Sequence, residues 1–245
     1  MESIGNWLGL SRISLGTMRF QDKCLSKAAV QEIIESCFEK GISTHHSSHE
    51  YNSYSLYAES LRGSSCRAHV KHIVKLSSPH FEDNEFSGGQ LTKHVDRELK
   101  SLGVDCIDVL QWLVRSKPIN DIDRLATLAD QREEMEECFS KLKQSGKIKS
   151  VFSFPYSVSF ARQVIGLHGV DGVIAYLNRN ETQYAPLANE HPFIAIRPLN
   201  AGRLVGSQNP EQDIFDCVRF VERHRHCLTQ IASINSPQQT TAWAG

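Results

Sequence analysis

The strongest constraint on the fold is an alternation of short apolar runs with helix-like segments, which continues along all 245 residues of the chain. In the first repeat, residues 12–16 form a strand-like run. Apolar side chains from Val30 to Phe38 then recur at helical spacing until Gly41, a typical helix stop. Strands that alternate with helices in this way are typical of a parallel sheet. The predicted strands are 12–16, 42–46, 72–76, 106–114, 148–154, 173–176, 193–196 and 228–234.

Eight such steps, with no break in composition between them, predict one α/β domain over residues 1–245 whose sheet closes as a (β/α)8 barrel, or TIM barrel. Barrels of this kind usually contain ~250 residues. Because only residues 237–245 remain after the last strand and its turn, the barrel is expected to be short or clipped at its C-terminus. The polar segment 115–131 is predicted to be a long loop after the fourth strand.

The charges of the chain are balanced, with 27 Lys and Arg against 28 Asp and Glu. A net charge of −1 gives no general attraction to nucleic acids or anionic lipids, so neither is predicted as a partner. No run approaches the ~18 apolar residues of a membrane span, and no signal-peptide pattern is present, so a cytoplasmic location is predicted. The seven cysteines are scattered without a Cys-x-x-Cys pair, which is typical of reduced thiols.

Three histidines near the second strand, His45, His46 and His49, form a candidate metal site. However, adjacent residues of a strand point to opposite faces, and no acidic ligand follows at the spacing of known zinc sites, so no metal is predicted. His46 remains a candidate for chemistry of another kind, because an imidazole titrates near neutrality.

Several segments, spread over nearly the whole chain, resemble motifs of one protein family, the aldo-keto reductases. Residues 15–18 resemble the LGTM of the family's first strand, and 101–111 resemble its SLxxLxxDYIDLLQ signature. Residues 41–51 resemble its second-strand segment, 146–149 the GKIR before strand five, and 197–206 the PLxxGxLxG loop after strand seven. Their order agrees with the strand and helix pattern, so the resemblance implies the same barrel fold.

The resemblance implies four catalytic positions. In the family, a Tyr protonates the carbonyl oxygen, a Lys lowers the pKa of that Tyr, an Asp pairs with the Lys, and a His orients the carbonyl. Tyr51 and Lys75 match the first two positions, whereas His46 stands at the Asp position and Leu113 at the His position. An imidazole carries no fixed negative charge and Leu donates no hydrogen bond, so the tetrad is incomplete. The predicted catalytic residues are Tyr51, Lys75 and His46.

The resemblance also implies a nicotinamide cofactor, NADP or NAD. Where the family has polar residues around the carboxamide, this chain has Phe154, Pro155 and Ile174. The phosphate side retains the loop after strand seven and a helix start after strand eight, where backbone N–H groups bind phosphate without a particular side chain. No Lys or Arg follows strand eight at Asn235, which leaves the choice between NADP and NAD open. The predicted cofactor-binding residues are Arg197, Pro198, Leu199, Asn200, Gly202, Leu204, Ser236 and Gln239.

Some side chains keep alternative interpretations. Arg197, at the end of strand seven, would meet an anionic substrate or the cofactor pyrophosphate, or else form a salt bridge to a neighbouring loop. Trp112 is interpreted as core packing rather than as a substrate platform. Ser236 is predicted to be the N-cap of the last helix, with Pro237 at its first position.

Together these features predict an aldo-keto-reductase-like oxidoreductase with an atypical active site. It would use NADPH or NADH to reduce the carbonyl of a small aldehyde or ketone, sugar-like carbonyl compounds included. Two alternatives stay open. One is a catalytically inactive relative that uses the barrel to bind a ligand or partner. The other is a non-redox lyase or epimerase that uses Tyr51, Lys75 and His46 as acid and base.

Overall fold

The structure is a computed structural model that describes residues 6–81, 83, 85–115 and 121–244. Its eight strands follow one another in sequence order and close into a barrel, which confirms the predicted (β/α)8 fold. Each strand begins and ends within two residues of the predicted positions. The strands are β1 (Ile13–Gly16), β2 (Thr44–Ser47), β3 (Lys71–Ser77), β4 (Ile107–Leu113), β5 (Ile148–Ser153), β6 (Gly172–Tyr176), β7 (Phe193–Ile196) and β8 (Cys227–Ser233).

The helices of the described residues alternate with these strands. They are α1 (Lys27–Glu39), α2 (Tyr54–Gly63), α3 (Gly88–Leu102), α4 (Asp121–Asp130), α5 (Arg132–Gln144), α6 (Val158–Val164), α7 (Ala185–Glu190), α8 (Pro210–Glu222) and α9 (Gln239–Ala244). None of these helices combines the length and the apolar character that a membrane crossing requires. All seven cysteines carry free thiols.

Helix α4 corrects the prediction that the whole polar segment 115–131 is a loop. Residues 116–120 of that segment lie outside the described residues, but residues 121–130 are helical. The helix has only two buried residues, Arg124 and Leu128, which lie one turn apart on the same face. Because one of the two is an arginine, the apolar periodicity that identifies a helix is missing from the sequence.

The described residues form two compact units, and the first comprises those up to His72 together with those from Ala175 onward. In this unit β1 pairs in parallel with β2 along one side and with β8 along the other. Leu15 of β1, which lies opposite His45 of β2, is fully buried in the core of the unit.

The second unit comprises Ile73–Ile174, and β4 pairs in parallel with both β3 and β5 in it. Trp112 of β4 is fully buried, and its ring centroid lies 5.0 Å from that of Phe139 and 6.1 Å from that of Phe86. The indole Nε1 donates a hydrogen bond of 2.7 Å to the carbonyl oxygen of Ser78. Trp112 therefore belongs to the core of this unit, in agreement with its interpretation from the sequence.

A pair of glycines in the second unit allows a test of this packing. Gly169 has a φ of +91°, and a Cβ added there would lie 3.0 Å from Cβ of Phe139. Gly146 has a φ of +73° but no atom within 4 Å of an added Cβ. In urea unfolding followed by circular dichroism, we expect Gly146→Ala to lower the free energy of unfolding by about 1 kcal/mol, through backbone strain alone. Gly169→Ala is expected to lower it by about 2 to 3 kcal/mol, because overpacking is added to the strain. Equal losses in the two variants would contradict the close contact with Phe139.

Candidate functional site

The turn between β2 and α2 carries Tyr51, and backbone and hydroxyl contacts hold it against the end of β1. Thr17 donates two hydrogen bonds to the carbonyl oxygen of His46, 3.2 Å from its backbone N and 3.1 Å from its Oγ1. The backbone N–H of Tyr51 donates to the carbonyl oxygen of Ser48 at 3.0 Å. The hydroxyl of Ser53, just after Tyr51, donates back to the carbonyl oxygen of Thr17 at 2.8 Å. Tyr51 is therefore presented on a well-anchored turn.

The side chains of His46 and Tyr51 are neighbours. Their ring centroids lie 5.9 Å apart with an interplanar angle of 60°, which is an edge-to-face arrangement. His46 is buried and Tyr51 is half-buried. Two of the three predicted catalytic residues are thus brought together in the first unit, where a phenol and an imidazole offer groups that can donate and accept protons.

His45 faces the opposite way from His46, as expected for adjacent residues of a strand. Its Nδ1 lies 3.1 Å from the hydroxyl oxygen of Tyr57 on α2. Complete burial, with a smaller contribution from His72, lowers the pKa of His45 to about 3. His45 is therefore a neutral packing residue at neutral pH. Among the residues that the structure describes, no group of three His, Cys, Asp or Glu is placed to hold a metal ion.

The other two positions of the family's tetrad belong to the second unit. Lys75 is half-buried in β3 and pairs in register with Gln111 of β4. Leu113 is the last residue of β4 and is only 3% exposed. The backbone carbonyl of Leu113 accepts a hydrogen bond from the N–H of Ser78 at 3.0 Å. The carboxyl end of β4 thus carries an apolar side chain at the position where the family has a histidine.

Arg197, directly after β7, forms the salt bridge that was one of its two interpretations from the sequence. Its Nη1 lies 3.3 Å from Oε1 of Glu181, and its Nη2 lies 3.4 Å from Oδ1 of Asn200. The guanidinium carbon also lies 4.8 Å from the ring centroid of Tyr176. Arg197 and Asn200, both predicted to bind the cofactor, are therefore brought together, and the charge of Arg197 is partly balanced by Glu181.

Asn178, which sequence reasoning missed, organises this cluster from the loop after β6. It is fully buried, and its side-chain Nδ2 donates to Oε2 of Glu181 at 2.6 Å and to the carbonyl oxygen of Arg197 at 2.9 Å. Its Oδ1 accepts hydrogen bonds from the backbone N–H groups of Asn180 at 2.9 Å and Glu181 at 3.0 Å. An Asn whose side chain accepts from backbone N–H groups shortly after it forms an Asx turn, and this local signal was available in the sequence.

The loop after β7 binds a carboxylate through its backbone. Asn200, Ala201 and Gly202 have consecutive positive φ angles of 48°, 56° and 87°. Farther along, the N–H groups of Gly206 and Ser207 both donate to Oδ2 of Asp213, at 3.0 and 2.9 Å. These hydrogen bonds hold the pKa of Asp213 below its usual value. The rest of the predicted segment includes Pro198, which is buried, Leu199 and Leu204, which are half-buried, and Gly202, which is exposed.

The last helix, α9, begins at Gln239 and not at Pro237 as predicted. Residues 236–240 form turns. The N–H of Gln239 donates to the carbonyl oxygen of Ser236 at 3.2 Å, and the N–H of Thr240 donates to the carbonyl oxygen of Pro237 at 3.1 Å. The side-chain Oε1 of Gln239 accepts a hydrogen bond of 2.7 Å from the backbone N–H of Asn235. The two backbone hydrogen bonds join residues three apart, whereas those of an α-helix join residues four apart, so the α-helix begins only at Gln239. The prediction of Ser236 as its N-cap is therefore wrong.

Three positions of the second unit correspond to the family's carboxamide-binding residues. Ile174 is fully buried, Pro155 is buried, and Phe154 is 9% exposed. The backbone N–H of Phe154 donates to the carbonyl oxygen of Trp112 at 2.9 Å. None of these three side chains has a polar group with which to bind a carboxamide.

Comparison with known proteins gives the family of the chain. A model of the aldo/keto reductase family matches residues 12–240, and the chain therefore belongs to this family of oxidoreductases. No curated protein sequence matches it.

Three solved structures illustrate the likeness in fold. The first, a protein from Pseudomonas aeruginosa described as an aldo-keto reductase, has 18% identity and a TM-score of 0.77, with 100% of this chain and 94% of that chain covered. The second, the holo form of an aldo-keto reductase from Bacillus halodurans, has 18% identity and a TM-score of 0.75, with 100% and 89% covered. A glycerol dehydrogenase from Gluconobacter oxydans has 17% identity and a TM-score of 0.72, with 96% and 86% covered. At these identities the likeness concerns the fold.

Proposed function

We propose that this protein is an NAD(P)H-dependent reductase of small aldehydes or ketones, in which the hydroxyl of Tyr51 protonates the carbonyl oxygen. Membership of the aldo/keto reductase family supports the reaction class. The observation that carries the assignment is the anchored turn after β2, which presents Tyr51 beside the ring of His46. That residues 1–245 act as one domain, and that the protein is cytoplasmic, remain predictions.

Each proposed catalytic residue has a separate task. A phenol has an ordinary pKa near ~10, so it needs a neighbouring cation to act as a general acid near neutrality. We assign that task to Lys75, because it stands at the family's lysine position. His46 replaces the family's aspartate, and its edge-to-face contact with Tyr51 supports a role in orienting the phenol. With Leu113 in place of the family's histidine, no side chain at that position helps to orient the carbonyl, and we expect slow turnover.

The cofactor, when bound, supplies the hydride. We assign its phosphates to the loop after β7 and to the start of α9, through Arg197, Pro198, Leu199, Asn200, Gly202, Leu204, Ser236 and Gln239. The N–H groups of Gly206 and Ser207, which bind the carboxylate of Asp213, support the assignment because they hold an oxyanion group in this loop. The apolar side chains of Phe154, Pro155 and Ile174 fit a carboxamide poorly, so we expect the phosphate end to contribute most of the affinity.

A second candidate function is a binding protein without catalysis, and specific contacts favour it. The charge of Arg197 is already engaged by Glu181. The loop amides after Val205 are already engaged by Asp213. A phosphate must displace these contacts before it can bind, which weakens the affinity for a cofactor.

Calorimetric titration with NADPH and NADH tests the proposal directly. We expect at least one of them to bind, and we expect a panel of aldehydes and ketones to oxidise the bound nucleotide, measured by loss of nicotinamide absorbance. Arg197→Gln is expected to weaken nucleotide binding, whereas Arg203→Gln, which changes an exposed arginine of the same loop, is not. Weak nucleotide binding without any oxidation would favour the second candidate. The absence of binding to either nucleotide would refute the reductase.

A further inference from the structure

Arg124 is a buried arginine that the proposed catalytic and cofactor sites do not use. It lies on α4, and its side chain is only 4% exposed. The guanidinium carbon lies 3.7 Å from the ring centroid of Tyr156, so the cation stacks on the aromatic face. Nη1 of Arg124 lies 3.6 Å from Oδ1 of Asp121, at the long end of an ion pair.

The remaining donors of this guanidinium are unsatisfied. Among the described residues, neither Nε nor Nη2 of Arg124 has a hydrogen-bond partner, and both atoms are buried. These two nitrogens form one edge of the planar group and point their hydrogens in nearly the same direction. That edge matches the two oxygens of a carboxylate, which it binds through two parallel hydrogen bonds. Buried charged donors without acceptors are destabilising, so the site favours a ligand that supplies two acceptors.

The position of Arg124 also fits a ligand site. Helix α4 packs against α6, and Tyr156 lies in the connection between β5 and α6. In this connection the ring of Tyr156 also meets that of Phe154 edge-to-face, with centroids 5.2 Å apart. Ligands of (β/α)8 proteins bind at the carboxyl ends of the strands, where this connection begins. The guanidinium of Arg124 thus lies against the ring of Tyr156, which in turn packs on Phe154.

We propose that Arg124 binds a carboxylate group of the substrate through Nε and Nη2, while the ring of Tyr156 holds the guanidinium from one face. The inference rests on the proposed function, since it narrows the substrate to carbonyl compounds that carry a carboxylate. A carboxylate is favoured over a phosphate for two reasons. First, the two oxygens of a carboxylate can lie in the plane of the guanidinium. Second, the negative charge of Asp121 leaves the site with little net positive charge, which suits a monoanion better than a dianion.

The test is a titration of the full-length protein, without cofactor, followed by NMR of the arginine Nε–H groups. The resonance of Arg124 is identified by its loss in Arg124→Lys, which keeps the charge but lacks the two-donor edge. The probes are pyruvate, acetate, acetone and inorganic phosphate. Pyruvate and acetate carry a carboxylate, whereas acetone is pyruvate with its carboxylate replaced by a methyl group. Arg162→Lys, which changes an exposed arginine on α6, is the matched control.

We expect pyruvate and acetate to shift the Arg124 resonance saturably, acetone to leave it unchanged, and phosphate to bind more weakly than acetate. Calorimetry should show a loss of pyruvate affinity of at least about tenfold in Arg124→Lys and no change in Arg162→Lys. The reason is that a guanidinium binds a carboxylate through two parallel hydrogen bonds, whereas the ammonium group of Lys acts as a point charge. Equal responses to pyruvate and acetone, tighter binding of phosphate than of acetate, or no shift with any carboxylate would each overturn the proposal. If Arg124→Lys fails to fold, the Arg124 resonance is assigned through its nuclear Overhauser contacts with the ring of Tyr156, whose centroid lies 3.7 Å from the guanidinium carbon, and the wild-type titration still decides.

Failure of this inference is distinguishable from failure of the proposed function. A protein that oxidises NADPH with neutral aldehydes but shows no carboxylate-dependent shift refutes the subsite and leaves the reductase intact. A protein that binds pyruvate through Arg124 and binds no nucleotide supports the subsite and refutes the reductase.

Discussion

Replacing Tyr51 by phenylalanine is expected to lower kcat/KM for carbonyl reduction by about 10²- to 10⁴-fold, the usual contribution of a general acid. The variant removes only the hydroxyl. The turn that carries residue 51 is held by backbone atoms and by Ser53, so it should keep its shape. Nucleotide affinity, measured by calorimetry, should therefore stay unchanged while turnover falls. Tyr54→Phe, which removes a neighbouring phenol on α2, is the matched control and is expected to keep its activity.

Lys75 provides a second arm of the same experiment. If Lys75 acts by lowering the pKa of Tyr51, Lys75→Met is expected to lower turnover, and its effect should disappear when Tyr51 is already phenylalanine, because residues that act as a unit are not additive. In the single variant the fall of activity with increasing pH should also move its midpoint to higher pH, because Tyr51 loses its proton less readily without the neighbouring cation. Full activity in Tyr51→Phe, or independent effects of the two substitutions, would show that another group donates the proton.

The sequence predicts the elements of this fold where the apolar spacing is regular. In α3, the spacing of four leucine and valine side chains predicts one apolar face formed by Leu91, Val95, Leu99 and Leu102. Three of them are buried, whereas Leu99 is half-buried and the neighbouring Glu98 is buried instead. The same reasoning fails for α4, because Arg124 occupies a buried position that the pattern reserves for an apolar side chain. Periodicity reports which side chains avoid water, and it has no means of showing a buried guanidinium stacked on an aromatic ring.

Side-chain partners in the candidate site are harder to predict than positions. The motif resemblance correctly indicated that Arg197 follows β7, but its partner Glu181 lies 16 residues earlier, in another loop. Asp213 likewise meets Gly206 and Ser207 because the chain turns back after the loop. Such contacts depend on the paths of irregular loops, which hydrophobic spacing does not specify. The position of Arg197 after β7 can thus be predicted from the sequence, whereas its charge partner requires the structure.

The second large expected effect concerns stability as a function of pH. The pKa of His45 falls from an ordinary 6.5 to about 3 because the folded protein buries it completely. As the pH decreases below 6.5, the unfolded chain binds a proton at this residue and the folded chain does not. The free energy of unfolding therefore falls with decreasing pH, by about 1.4 kcal/mol for each pH unit once the unfolded imidazole is charged. Between pH 8 and pH 5 this residue alone should account for a loss of about 2 kcal/mol.

His45→Gln is expected to remove that loss, because an amide does not titrate and can still hydrogen-bond to the hydroxyl of Tyr57. The measurement is urea unfolding of wild type and variant at pH 8 and pH 5, compared as the difference between the two pH values. Tyr57→Phe is the control: burial is the main cause of the low pKa of His45, so this variant should lose stability at both pH values and keep the pH dependence. If His45→Gln loses as much stability as wild type on acidification, the titrating group lies elsewhere, and the neutral, buried state of His45 has no measurable energetic consequence.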